Sequence, residues 1–476
     1  MDKRNLTWFA IGSLASSALS FISIPIIAWA FDDGDIGRAA LLISCSGLST
    51  LIFALGLDQS FTREFNESRD RSSLLMNAAA PGALTMFALA IVLMACAPTL
   101  LADIIFGLKS SSLSLYIIGY VFVVYTSRFL SLNLRMQEDG KRYAASLLIA
   151  KIGFVSIICI ANITPKPKLQ HLLIAHGVSV SAAFAYLLFC TKETWTKWRL
   201  NLFDRKLLGA MLHFGIPAAT SGMLFWGLEG IDKFLLRSLS SYEELGVYSI
   251  ALSISAIAAV ATTMFTTVWI PMVYRWVAKE ENLDRIDAVS RHALAVTVFI
   301  VGLAGAFSWT LQYVLPAKHL VVQKLIACCM LWPLCYALSE TTGLGIAVAR
   351  ATRLSLLAAA AALAVNVCLN LLLLPRFGAS GAAVALAAGI WVFLFFRSEV
   401  SHRIWRANPR LALYGWTLCA LGLATLQALI DEQQSNWSTA AWLAFLLVAT
   451  GFFRNSLRLG GNAVHSMLSH LRPPLS

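Results

Sequence analysis

The sequence predicts an all-α, polytopic membrane protein of about fourteen transmembrane helices, arranged as two parallel six-helix lobes followed by a C-terminal helix pair. Three observations carry this expectation. Of the 476 residues, 58% are apolar and 13% are charged, with a mean hydropathy of +0.72. A soluble protein carries about 25% charged residues, so a chain of this composition has no polar coat for a water-facing surface. The apolar residues are gathered into about fourteen runs, most of them near the ~20 residues needed to cross a bilayer. The basic residues concentrate in alternate connections between those runs.

In order, the first run covers 6–31. Ala28-Trp29-Ala30 has the form of a signal-peptidase site, but the preceding apolar stretch is about twice too long for a signal h-region, so a retained helix is expected. The cluster DDGDIGR at 32–38 separates it from 39–57, and the runs 78–97, 113–132, 144–163 and 170–191 follow, with NLRMQEDGKR at 133–142 between the fourth and fifth. The seventh run, 208–237, holds Gly215-Ile216-Pro217, and a proline there removes a backbone bond and is expected to kink the helix. The remaining runs are 246–273, 291–311, 322–349, 354–374, 380–396, 411–430 and 438–453, with RWVAKEENLDR at 275–285 after the eighth. None alternates in polarity as the strands of a membrane barrel do.

Lysine and arginine orient the bundle. With a cytoplasmic N-terminus, the inner connections hold about 26 of the basic residues and the outer ones about 7, which places both termini inside. The net charge of +12 is therefore an orientation signal, and no nucleic-acid partner is expected. Trp8, Trp29, Trp269, Trp309, Trp405 and Trp437 lie near predicted helix ends, where indoles anchor at headgroups. The nine cysteines all fall inside apolar runs and are read as small hydrophobes. The starts of runs two, four, five and six recur at runs eight, ten, eleven and twelve, about 207–210 residues later, and Ile36-Gly37 with Ser44 and Ser46 aligns with Leu245-Gly246, Ser253 and Ser255. An even number of helices per copy makes the repeats parallel. The expected organisation is 1–200 for the first lobe, 201–407 for the second, and 408–476 for the extra pair and a cytoplasmic tail.

Two such halves with short loops point to a secondary transporter whose midplane site opens alternately to each side. No metalloprotease, hydrolase or P-loop motif is present, and no cofactor or metal set is expected. Ionisable residues within the spans mark the candidate path, each against a structural alternative. Arg128 lies near the cytoplasmic end of run four and either snorkels or faces a cavity. Lys151 sits deeper in run five. Run seven carries Glu229, Asp232, Lys233 and Arg237. Glu229 and Lys233 are four apart, so a neutralising pair on one helix face is expected. Asp232 points about 100° away from Lys233, and its spare charge makes it the stronger candidate for a coupling or structural site in the outer half. Glu340 in run ten, among Ser339, Thr341 and Thr342, falls near the midplane, where a carboxylate is either a proton-coupling group or a hydrogen-bonded packing residue. His176 and His213 are read as packing residues.

Four stretches carry a family resemblance: IDKFLLRSLSSYEELGVYSIALSIS (231–255), FGIP (214–217), LRMQEDGKRYAAS (134–146) and LNLLLLPRFGASGAAVA (369–385). They resemble the Wzx-type polysaccharide-biosynthesis flippases, of the superfamily that contains MATE drug exporters and the lipid II flippase. The resemblance implies a MATE-like fold, alternating access, and an undecaprenyl-diphosphate-linked oligosaccharide as substrate, with polysaccharide polymerase and chain-length proteins as partners in a bacterial inner membrane. A diphosphate needs cationic groups inside the membrane, and Arg128, Lys151, Lys233 and Arg237 are the candidates for binding it. Glu340, Asp232 and Glu229 are the candidates for ion coupling. The lipid II flippases resemble one another in cavity arginines on helices one, two and eight. Here runs one and eight have no basic residue within them, which favours an O-antigen, capsule or exopolysaccharide unit. A MATE-like cation antiporter, expected to want an acid-rich cavity, and a membrane-embedded polymerase or ligase remain the alternatives.

Overall fold

In a computed structural model the described residues are 3–454 and 456, apart from 69, 164–167, 198–202, 280–282, 407–409 and 431–435. The expected lobe boundaries at 200/201 and 407/408, and the tail beyond 456, lie outside the described residues. The elements are α1 (Lys3–Ala30), α2 (Asp33–Ala54), α3 (Leu57–Glu64), α4 (Arg71–Cys96), α5 (Leu100–Phe106), α6 (Ser111–Met136), α7 (Gly140–Ala161), α8 (Leu169–Cys190), α9 (Lys192–Trp195), α10 (Arg205–Leu239), α11 (Tyr242–Ala278), α12 (Leu283–Ala306), α13 (Val321–Thr342), α14 (Leu344–Val348), α15 (Thr352–Ile404), α16 (Leu411–Leu429) and α17 (Asn436–Phe452).

Twelve of these are long and apolar enough to cross a membrane, and a shorter apolar helix lies at Trp437–Phe452. At ~1.5 Å per residue, α15 is far too long for one crossing of a ~30 Å core. It is two helices joined at Gly378, whose φ of 48° and ψ of −127° are non-helical. The turn that makes runs eleven and twelve a hairpin is thus the PRFGASG stretch. Gly381 allows its arms to meet, since a Cβ there would fall 2.8 Å from the Leu373 carbonyl carbon.

By contacts the chain forms two compact units, Met1–Ser249 and Ile250–Ser476. Within the first, α1 packs on α7, α7 and α6 on α8, and α4 on α6, while α10 lies against α2, α3 and α4. Local sequence sets the ends. Asp70 accepts hydrogen bonds from Ser72 N and Ser73 N and so starts α4 earlier than the apolar run predicts. Asp139 accepts from Arg142 N at the start of α7, after Glu138 turns the chain at φ 59°. A Cβ on Gly140 would meet Asn5 O at 2.5 Å, so this glycine lets the α6–α7 turn dock on α1. The FGIP stretch serves a second close approach. A Cβ on Gly56 would lie 2.0 Å from Gly215 O, Arg63 covers the Phe214 ring at 4.7 Å, and α10 continues through Pro217.

Within the second unit α13 packs on α15 and α12, and the C-terminal pair is built into the body. Helix α16 lies on α15 and α13, and α17 lies on α12. The tenth run does not extend to 349, because α13 ends at Thr342 and Gly343 separates it from the short α14. Trp269, expected at the headgroups, is instead 1% exposed in a core cluster with Val273, Ile286 and Leu344. Its indole N–H donates to Glu340 O at 3.2 Å.

Candidate functional site

At the outer end of the first unit, judged by the basic-residue bias, α2 and the start of α11 touch through backbone. A Cβ on Gly37 would fall 2.1 Å from Tyr242 O, and one on Gly246 would fall 2.0 Å from Asp33 O. These are the two glycines that the sequence repeat equates. Around them three side chains converge on carbonyls near the C-terminal end of α5. Arg237 donates to Asp103 O at 3.0 Å, Tyr242 to Ile105 O at 3.1 Å, and Arg38 to Phe106 O at 3.0 Å. Arg38 lies over the Tyr242 ring at 4.7 Å, and Arg237 Nε donates to the same phenol at 3.3 Å. Cations at a helix C-terminus are favourably placed. The sequence reading missed Arg38 and Tyr242, because neither lies inside an apolar run. It also placed Arg237 among the diphosphate contacts, whereas its guanidinium is engaged in this clasp.

Asp232 is fully buried on α10 and accepts a hydrogen bond from Tyr248 Oη on α11 at 2.7 Å. The charge that looked spare along one helix therefore has a partner on the next, which an i, i+4 reading cannot see. Lys233 is half-buried and within electrostatic reach of Glu229 and Asp232. Glu229 is exposed, and among the described residues it makes no ion-pair contact with Lys233. The expected tight pair on one face is therefore a longer-range attraction.

Arg128 reaches Asp58 of α3, Nη2 to Oδ2 at 2.9 Å, with the arginine side chain 52% exposed. Asp58 is buried and also accepts from Gln59 N. Lys151 on α7 is half-buried and has no hydrogen bond or ion pair among the described residues. Near it are His176 of α8, within electrostatic reach, and Phe154, whose ring lies tilted against His176 with centroids 4.3 Å apart.

In the second unit Glu340 is no lone carboxylate. Arg397 Nη1 binds its Oε1 at 2.6 Å and Ser339 Oγ at 3.0 Å, with the two charged side chains only 10% and 15% exposed. The sequence reading ended run twelve at 396, one residue short of this partner. Thr342 and Ser398 share a hydrogen bond at 2.6 Å beside it. The candidate residues thus separate into groups: Arg128, Lys151, Glu229, Asp232, Lys233 and Arg237 belong to the first unit, and Glu340 to the second. Each buried acid named here holds a donor, whereas Lys151 and Lys233 are span cations for which no hydrogen bond or ion pair is found among the described residues.

Such a bundle, with a broken apolar helix and charges held inside it, is that of a multi-pass membrane protein. The chain belongs to the polysaccharide biosynthesis protein family, whose family model matches residues 3–277. Its fold is similar to that of a solved structure described as lipid II flippase MurJ in an inward closed conformation, at a TM-score of 0.70 and 12% identity, over 94% of this chain and 99% of the other. It is also similar to an inward-facing multidrug resistance MATE family transporter of the MOP superfamily, at a TM-score of 0.53 and 15% identity over 81% and 94%. A Vibrio cholerae MATE transporter, VcmN with a D35N mutation, matches at a TM-score of 0.51 and 16% identity over 84% and 96%. No curated protein sequence matches the chain.

Proposed function

We propose that the protein flips an undecaprenyl-diphosphate-linked oligosaccharide from the inner to the outer leaflet of a bacterial inner membrane by alternating access, supplying O-antigen, capsule or exopolysaccharide synthesis. The observation that carries this reading is the charge balance inside the membrane. The buried acids Asp58 and Asp232, and the nearly buried Glu340, are engaged by Arg128, Tyr248 and Arg397, and Lys151 and Lys233 are left without a hydrogen-bonded or ion-paired partner among the described residues to meet an anion. A cation antiporter needs the reverse, acids left open beside its path, and of the span acids named here only Glu229 is exposed, with the Lys233 cation within electrostatic reach. Family membership and the fold likeness to a lipid II flippase support the same choice. A diphosphate and its sugars cannot cross ~30 Å of hydrocarbon without groups that replace their hydration. Lys151 supplies such a group, with Lys233 and Arg128 as further contacts. Arg237 remains with the clasp. The close contact of Gly37 and Gly246 supports a cycle in which the outer ends of α2 and α11 separate to release the substrate. Both termini are cytoplasmic in this reading, and the polymerase and chain-length proteins act on the product outside.

A deletion strain tests it. Loss of the protein should leave lipid-linked oligosaccharide on the cytoplasmic face of the membrane. Accumulation on the outer face would mean a polymerase or ligase instead, and unchanged glycans with altered drug sensitivity would mean a cation exporter.

A further inference from the structure

Near their outer ends α16 and α17 are hydrogen-bonded to each other and to Ser308, two residues beyond α12. Gln427 donates to Ser308 Oγ at 3.1 Å and accepts from Trp442 Nε1 at 2.8 Å. Gly305 admits the Trp442 ring so closely that a Cβ would lie 2.3 Å from it. Toward the end that the basic-residue bias assigns to the inner leaflet, these helices frame a cavity of about 260 Å³. Its lining is mixed, with Ser290, Arg291 and Ser456 polar and Leu294, Leu413 and Phe453 apolar. Asp287 also lines it, four residues before Arg291 on the same helix face, but its carboxylate is paired with Arg406. Arg291 is exposed and has no acid partner among the described residues. The cavity therefore places a guanidinium with no acid partner among the described residues beside apolar side chains, at the end assigned to the inner leaflet. A guanidinium fork matches phosphate oxygens, and the apolar side chains suit the carbons next to such a phosphate. The volume is below the ~300–1,000 Å³ of pockets that enclose a whole drug-sized ligand, so it accepts a headgroup and leaves the chains in the bilayer.

We propose that this cavity seats the phosphate of an anionic phospholipid of the inner leaflet, held by Arg291, as a site separate from the transport path. To test it, the purified full-length protein in neutral detergent is titrated with short-chain phosphatidylglycerol, phosphatidylcholine or inorganic phosphate while its melting temperature is followed. Phosphatidylglycerol should raise the melting temperature well above the phosphatidylcholine control. Arg291→Gln should need about tenfold more lipid or greater for the same rise, the loss expected for a charge-assisted contact. Ser290→Asp, which keeps the arginine but adds an acid beside it, should weaken the response too, so poor folding of one variant does not decide the outcome. Equal responses from wild type and both variants overturn the site. Inorganic phosphate alone matching phosphatidylglycerol at equal concentration overturns the lipid as its source.

Discussion

In the first unit the fully buried Asp232 is held by a neutral donor, the phenol of Tyr248; in the second, Glu340 is held by a cation, the guanidinium of Arg397. The two carboxylates looked equivalent in the sequence, as acids inside apolar runs. Their partners give them different capacities. A proton on Glu340 would strand the charge of Arg397 in a low-dielectric interior, so that pair acts as a fixed strut between α13 and α15. Asp232 takes its hydrogen bond instead from a phenol, which both donates and accepts, and the Lys233 cation lies within electrostatic reach of it. We propose that any proton coupling falls to Asp232, which is not locked to an arginine, and that Glu340 has a structural role.

The largest expected effect is on the strut. Glu340→Gln should destabilise the protein by about 3–5 kcal/mol, seen as an early thermal unfolding transition in detergent, and Arg397→Met in the same chain should restore most of the loss. A single variant that melts like the wild type would remove the contrast between the two acids. Next is the phenol: Tyr248→Phe takes one donor from a buried carboxylate and should lower stability by about 1.5–3 kcal/mol. The sharper test of the same region is functional. Asp232→Asn should abolish the response of vesicle transport to an imposed pH gradient, whereas the paired Glu340→Gln/Arg397→Met protein should keep it. Opposite results would reassign the coupling to the second unit. Arg237→Ala, which opens the clasp on α5, should weaken the fold by about 1 kcal/mol for the bonds lost and leave substrate affinity unchanged. A drop in affinity with no change in melting would return Arg237 to the substrate path. Arg128→Ala should change stability least, by under about 1 kcal/mol, because a pair with a half-exposed arginine is screened by solvent.

The spans were legible because apolar length is a local property, and even the α15 hairpin was marked by the glycines that its turn requires. The short helices α3 and α5 were not visible, since a few residues between long runs carry no periodic signal. Break points at Gly343 and helix starts such as Asp70 depend on single residues within or beside apolar runs. The candidate residues themselves were legible as ionisable groups in the wrong solvent. Their partners were not. Asp232 meets Tyr248 on the next helix, Glu340 meets Arg397 from the second half of the α15 hairpin, and Arg128 meets Asp58 on a helix that the apolar pattern hid. Reading along one helix found the i, i+4 neighbours Glu229 and Lys233, which attract each other without contact. It missed the pairings that packing creates between helices.

The central claim is that this family member carries an anionic, lipid-linked glycan past Lys151. The direct measurement is the appearance of a diphosphate-linked oligosaccharide lipid in the far leaflet of reconstituted vesicles, for the wild type and for Lys151→Gln at equal protein density and melting temperature. Losing one charge-assisted phosphate contact should slow the wild-type rate about tenfold or more. Equal rates for the two proteins, or transport of an organic cation by both with no movement of the lipid-linked glycan, would contradict it.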